Sequence, residues 1–261
     1  MNISIKNPSK ADTFCTLFQH VRLFTEHINI MFEKERVYMQ SMDSSHVSIF
    51  EFTLPSTWFD VYEHTNHGNM SLGISSTLLF KILNTRDKSQ ETNIVFNSEE
   101  NDKLFVNFTS TNSAVFDKHF EIPLIDLDCE LMDIPTTECN AEFSIPSSNF
   151  ANIISQLKMF GDTIDIECNE EKIELKSLSD GAGKMSVDIS IEELSEYAID
   201  EGETIRLSFS LTILHNICQY NKIAKDMEIQ LIKDYPMKIK YSLGEQDANL
   251  TFYLAPKIND D

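Results

Sequence analysis

The residues of this chain that could do chemistry fall into a few groups, and the most suggestive is the run Asp43, Ser44, Ser45, His46. An acid, a hydroxyl and an imidazole are the parts of a nucleophilic triad. Adjacent side chains of an extended segment point to opposite faces, so four consecutive residues do not converge on one reacting atom. The run reads instead as a serine-rich turn leading into a strand. Asp126, Asp128 and Glu130 alternate, and although carboxylates so placed can hold a hard cation, they read as a solvated edge that repels unwanted strand pairing. The five cysteines, Cys15, Cys129, Cys139, Cys168 and Cys218, form no C-x-x-C pair and suggest neither a disulfide framework nor a zinc site. His20 and His215 have no cysteine or histidine at ligand spacing, and 7 glycines leave little material for a phosphate-cradling loop. Catalytic residues, metals and cofactors are therefore expected to be absent, and the chain is expected not to be an enzyme.

What remains is an unusual distribution of charge. The chain carries 42 acids against 21 bases, a formal charge of -21, and such a surface repels phosphate over distances comparable to the Debye length. Four segments with helical periodicity depart from it. Residues 13–25, 75–86, 147–159 and 211–225 contain no Asp or Glu, where chain-average usage would place about eight. Their polar faces carry Thr, Ser, Asn and Gln, with His20, Arg22, Lys81, Arg86, Lys158, His215, Lys222 and Lys225. Faces of this kind suit a surface turned toward a polyanion: a few cations give non-specific, salt-sensitive contact, and the neutral polar groups keep it weak enough to slide. Packing against a neutral neighbour is the plainer reading of any one face; the fourfold recurrence favours DNA.

The elements that must position these faces are legible from periodicity. Ile164–Cys168, Ile173–Leu175 and Met185–Ile189 alternate apolar with polar or acidic residues, as half-buried antiparallel strands do. The helices start near residues 11, 75, 147 and 211, with Ser9, Ser75 and Ser147 or Ser148 as candidate N-caps and Gly161 or Asp162 closing the third. The strand, charged turn and strand after the first helix (HINIMFEKERVYMQSMDSS) recur after the third (DTIDIECNEEKIELKSLSD), and this repetition marks internal duplication. The expected fold class is α+β: two similar domains, 1–120 and 139–261, each with two helices packed on antiparallel sheets, joined by a proline-bounded connector at 121–138. The amino terminus lacks the apolar core of a signal peptide and no apolar run is long enough to span a membrane, so a soluble protein with no membrane partner is expected.

QSMDSSHVS at 40–48, LIDLDCELMDIP at 124–135, FGD at 160–162 and LAPKI at 254–258 resemble the corresponding blocks of eukaryotic sliding clamps of the proliferating cell nuclear antigen family. The resemblance implies a homotrimeric, ring-forming DNA clamp whose helices line a hole filled by double-stranded DNA. The ring would tether DNA polymerase and be placed by a clamp loader, acting in DNA replication and repair. It implies a pocket for partner peptides bearing a glutamine and two aromatics, the PIP-box type, at Met42, His46, Val47, Ile49, Met132, Ile134, Pro135, Pro236, Tyr253, Ala255, Pro256 and Ile258. It implies subunit contacts through strands near 113–119 and 183–190, with Val115, Phe116, Lys118, Lys184, Ser186 and Val187. Cys15, Thr16, Asn152, Ser155 and Gln219 stand where the family carries lysines or arginines, which shifts expected DNA contact toward Arg86, Lys88 and Lys225. Glu170 replaces a ubiquitin-accepting lysine and Cys139 a tyrosine. Residence in the nucleus is implied, although no basic import run is visible; a cytoplasmic viral replication compartment is the alternative. A checkpoint-type clamp subunit and a non-ring acidic protein-binding module are the rival functions.

Overall fold

In a computed structural model of the chain, residues 1–64, 68–97, 99, 102–128, 130–181, 183–244 and 247–258 are described, and Cys129 lies outside them. Two compact units emerge: Met1–Ser44 with Glu51–Met132 and Leu243–Asn249, and Ser45–Phe50 with Asp133–Ser242 and Leu250–Asp261. No described helix is long and apolar enough to cross a membrane.

In chain order the first half supplies β1 (Asn2–Ile5), α1 (Pro8–Val21), β2 (His27–Phe32), β3 (Arg36–Met42), β4 (Ser48–Pro55), β5 (Val61–Glu63), β6 (Met70–Ser75), α2 (Ser76–Leu83), β7 (Glu91–Val95), β8 (Lys103–Thr109) and β9 (Lys118–Pro123). The second half supplies β10 (Ala141–Pro146), α3 (Ser147–Leu157), β11 (Thr163–Cys168), β12 (Lys172–Ser179), β13 (Gly183–Ser190), β14 (Glu196–Ile199), β15 (Ile205–Ser210), α4 (Leu211–Ile217), β16 (Asp226–Leu231), β17 (Met237–Ser242) and β18 (Asn249–Leu254). Strand orders β5-β1-β7-β8-β9 and β6-β2-β3-β4 in the first half reappear as β14-β10-β16-β17-β18 and β15-β11-β12-β13 in the second. Each label is shifted by the same amount, so the duplication read from the sequence is a duplication of topology.

The helices form where an apolar stripe can be buried. In α1, Phe14, Leu17, Phe18 and Val21 are buried, and Phe18 meets Phe52 of β4 edge-on at 5.5 Å. In α3 and α4, Phe150, Ile154, Leu157, Leu211, Leu214 and Ile217 are fully buried, each contributing about 1.5–3 kcal/mol by leaving water. Carbonyls outside the helices accept the first N–H of three of them: Ser76 N bonds Glu26 O (2.9 Å), Ser147 N bonds Lys225 O (2.9 Å) and Leu211 N bonds Asp162 O (3.0 Å). These bonds satisfy donors that a helix start would otherwise leave orphaned.

Several boundaries differ from the sequence reading. The first helix starts at Pro8 because Asn7, not Ser9, is the cap: its Oδ1 accepts Ser9 N at 2.9 Å and Lys10 N at 3.2 Å, and proline fits the first helical position. Asp12 lies within α1, outside the acid-free segment 13–25, so that helix is not free of acids. Ser147 is the first residue inside α3, and its buried hydroxyl has no partner. Gly161 does not close α3, which caps at Lys158; the glycine is needed because a Cβ there would lie 2.8 Å from the Leu178 carbonyl oxygen. Tight turns end α2 at Leu83 and α4 at Ile217, leaving Arg86, Lys88, Lys222 and Lys225 on the segments that follow.

Candidate functional site

A cleft of about 200 Å³ opens in the second unit. Of the residues named from the resemblance, Ile49, Ile134, Pro135, Pro236 and Tyr253 line it, and Ile232, Tyr235 and Lys238 line it with them. Alternation on β17 explains the wall: Met237, Ile239 and Tyr241 turn into the core, which leaves Lys238 and Lys240 on the outer face. The carboxyl-terminal segment runs past it, with Ala255 N bonded to Val47 O (2.9 Å) and Lys257 N bonded to Ser208 O (2.7 Å). His46 is exposed in the turn before β4, with φ of 60°; Pro256 is half-buried and Ile258 is 90% exposed. Met42 and Met132 belong to the first unit. A largely apolar cleft beside an extended tail offers side-chain anchoring for a short extended peptide.

Ser44 and His46 are exposed while Asp43 is buried at 3% exposure, so the triad components do not assemble. Among the described residues, no three His, Cys, Asp or Glu side chains gather as a metal site.

The helix faces carry the cations in different states. Arg22 is exposed and lies over the Phe80 ring at 4.3 Å, a cation–π contact that leaves its outer edge open to solvent. Lys81 and Lys88 are exposed and His20 is half-buried. Arg86 differs from expectation: its side chain is only 4% exposed, because the guanidinium pairs with Asp12 of α1 and donates to Asp87 O (3.2 Å) and Gln90 O (2.9 Å). It is a staple between α1 and the segment after α2, with three of its five N–H donors engaged there. Cys15 lies beside it, its thiol pushed up by burial against the opposing pull of Arg86. In the second unit Lys222 and Lys225 are exposed, and Lys158 caps α3. Burial, and then the charge of Lys158, push the His215 imidazole below the usual histidine value, so it is neutral near pH 7.

β9 and β13 each end a sheet. Lys184 and Ser186 are exposed on β13 and Val187 is half-buried. Val115 and Phe116 precede the strand expected near 113–119, which begins only at Lys118; Phe116 is 83% exposed, while Lys118 donates its ammonium to Thr85 O. Glu170 Oε1 accepts Gly202 N at 2.9 Å, and Cys139 Sγ contacts Glu142 Oε2 at 3.6 Å. Burial and that carboxylate push the Cys139 thiol up, which keeps it protonated.

Sequence reasoning missed Gln40, Asp12, Tyr235 and Lys238. Gln40 is 5% exposed in β3, where Val37, Tyr38, Met39 and Gln40 are buried in succession, so no alternation marked it.

The family model described as "Proliferating cell nuclear antigen, N-terminal domain" matches residues 8–131, and that described as "Proliferating cell nuclear antigen, C-terminal domain" matches residues 133–258. A protein of Chaetomium thermophilum named proliferating cell nuclear antigen is 30% identical over 240 residues, covering 86% of this chain and 86% of its own length.

Proposed function

This chain belongs to the proliferating cell nuclear antigen family, and from that premise we propose how its surfaces divide the work of a sliding clamp. The protein is a DNA sliding clamp and processivity factor that encircles duplex DNA, assembles with copies of itself and tethers DNA polymerase. The observation that carries this is the match of both family domains, in order, on one chain whose two halves repeat the same topology.

The assembly is a homotrimer. Its subunits join head to tail through β9 of one copy and β13 of the next, because both strands end their sheets, and a heterologous contact of this kind closes into a ring when its rotation allows. Exposed Phe116 beside β9, with Met159 (68% exposed) and Leu178 (63% exposed) in the other unit, supplies apolar surface for such a joint. Arg22, Lys81, Lys88, Lys158, Lys222 and Lys225 touch phosphate. The -21 formal charge repels DNA from the remaining surface, so the grip is topological and the contacts are light. Polymerases, other replication factors and the clamp loader dock short segments with a glutamine and two aromatics in the cleft between Ile134 and Tyr253, and the protein works in the nucleus.

Polymerase processivity on a circular primed template, with and without this protein and a clamp loader, tests the function. Extension should lengthen only when both are present, and no gain at any salt concentration would reject it. Light scattering should return the mass of a trimer of the 30.0 kDa chain.

A further inference from the structure

The cleft of the second unit contains a charge that apolar anchoring does not require. Lys238 stands on the outer face of β17, and strand register sets what it can meet. Glu228 lies opposite Lys240, whereas Gln230 lies opposite Lys238. Lys240 uses its partner, placing Nζ 3.3 Å from Glu228 Oε2. Gln230 is neutral and already donates its Nε2 to Glu142 Oε2 at 3.1 Å. Among the described residues Lys238 forms no ion pair, and Asp133, the acid that shares the cleft, does not close on it. One of two neighbouring lysines is thus neutralised across the strand, and the other faces the cleft with its charge uncompensated.

We propose that Lys238 is a specificity-determining residue of this cleft, which selects partner segments that carry a carboxylate beside their apolar anchors. The proposal rests on the reading of the cleft as the partner-peptide pocket. Lys238 is half-buried and lines the cleft together with Ile134, Pro236, Tyr235 and Tyr253, so a carboxylate bound there forms a charge-assisted bond in partly desolvated surroundings, where such bonds are strong. The rest of the chain sharpens the choice. A formal charge of -21 disfavours an acidic peptide in general, so an acid gains only where it falls on Lys238, and an acid placed elsewhere along the segment meets repulsion. Selectivity therefore depends on position along the peptide and not on its total charge.

The test is fluorescence anisotropy with glutamine-and-aromatic peptides in which one Glu is moved through the positions around the aromatic anchors, each compared with its Gln twin. The full-length protein is compared with Lys238→Met, Lys238→Arg and Ile134→Asp. At one position the Glu peptide should bind wild type about tenfold tighter than its twin. Lys238→Met should erase that preference, so that the Glu peptide and its Gln twin bind it equally, and Lys238→Arg should restore it. Equal binding of every pair by wild type overturns the proposal, as does a preference that survives Lys238→Met while Ile134→Asp abolishes binding. If Ile134→Asp binds both peptides like wild type, the cleft itself is not the pocket, and the proposal falls with that reading and not through Lys238.

Discussion

The carboxamide of Gln40 grips the backbone of Met132 at both ends, donating Nε2 to its carbonyl at 3.1 Å and accepting its N–H on Oε1 at 2.7 Å. Glu51 fixes which way the amide points: its Oε2 lies 3.5 Å from Gln40 Nε2 and accepts the Tyr38 hydroxyl at 2.7 Å. A strand residue thereby holds the connector by two backbone bonds that its own sequence cannot supply.

Gln40→Ala should leave both Met132 groups without a partner, a local cost of about 1–3 kcal/mol. Amide exchange at Met132 should accelerate by one to two orders of magnitude, while β2 and β3 keep their protection. Gln40→Glu should be no better, because a carboxylate has no proton for the Met132 carbonyl and stands against Glu51. Hydrogen exchange read by mass spectrometry over 124–135 decides this, and unchanged exchange in both variants would remove the clip from the account.

A second fastening lies upstream, where Ile125 N bonds Gly73 O at 2.8 Å. The connector approaches β6 so closely that a Cβ on Gly73 would sit 2.1 Å from the Ile125 carbonyl oxygen and 2.9 Å from Leu127 Cγ. Gly73→Ala should therefore lift the connector at Ile125 and accelerate exchange there. Protection at Met132 should survive, because the Gln40 clip is separate. Cooperative loss at both positions would show one fastening where the structure shows two.

The cations divide into contacts and a staple, and salt separates them. Removing Lys81 and Lys222 together should flatten the dependence of log affinity for DNA on log salt by up to about 5 for the ring, since two contacts are lost in each of three subunits at roughly 0.9 per lost phosphate contact. Arg86→Met should leave that slope alone and cost about 1–3 kcal/mol in denaturant unfolding, since it strands the Asp87 and Gln90 carbonyls and loses the pair with Asp12. A slope change from Arg86→Met without loss of stability would return that residue to the DNA surface.

Periodicity made the fold readable, because α1 to α4 and the alternating strands β11 and β12 bury their apolar residues at the spacing the sequence displays. It read less well where a local rule had two candidates. Ser9 and Asn7 both suit a cap, and only the bonds from Asn7 show which one serves. Arg86 shows a deeper limit: an arginine after an acid-free stretch looks like a phosphate contact until tertiary structure brings Asp12 to it from 74 residues away. Lys238 was illegible for the same reason, since its isolation follows from cross-strand register with Gln230, and register is a property of the sheet. The cleft residues Ile134, Pro135, Pro236 and Tyr253 were named through family resemblance; no spacing rule joins positions so far apart.

His215 links the helix surface of the second unit to pH. Its folded-state pKa lies below the usual histidine value, chiefly through burial and then through Lys158. A histidine in the unfolded chain titrates near 6.5, so below that pH the unfolded state takes up a proton that the folded state refuses. Stability from this group is therefore fully present above about pH 6.5, and it declines as pH falls until the folded imidazole also protonates. The urea midpoint of the wild type should drop between pH 7.5 and 5.5, and His215→Asn should show a smaller drop. Lys158→Met should fall between the two, because the lysine charge is removed while burial remains. Asp87 and Glu167, whose carboxyls are held low by hydrogen bonds from Ser89 and from Arg206, act in the same direction but only in the more acidic range where carboxylates titrate. A wild-type midpoint flat from pH 7.5 to 5.5 would contradict the depressed imidazole, and an equal drop in His215→Asn would assign the dependence to another group.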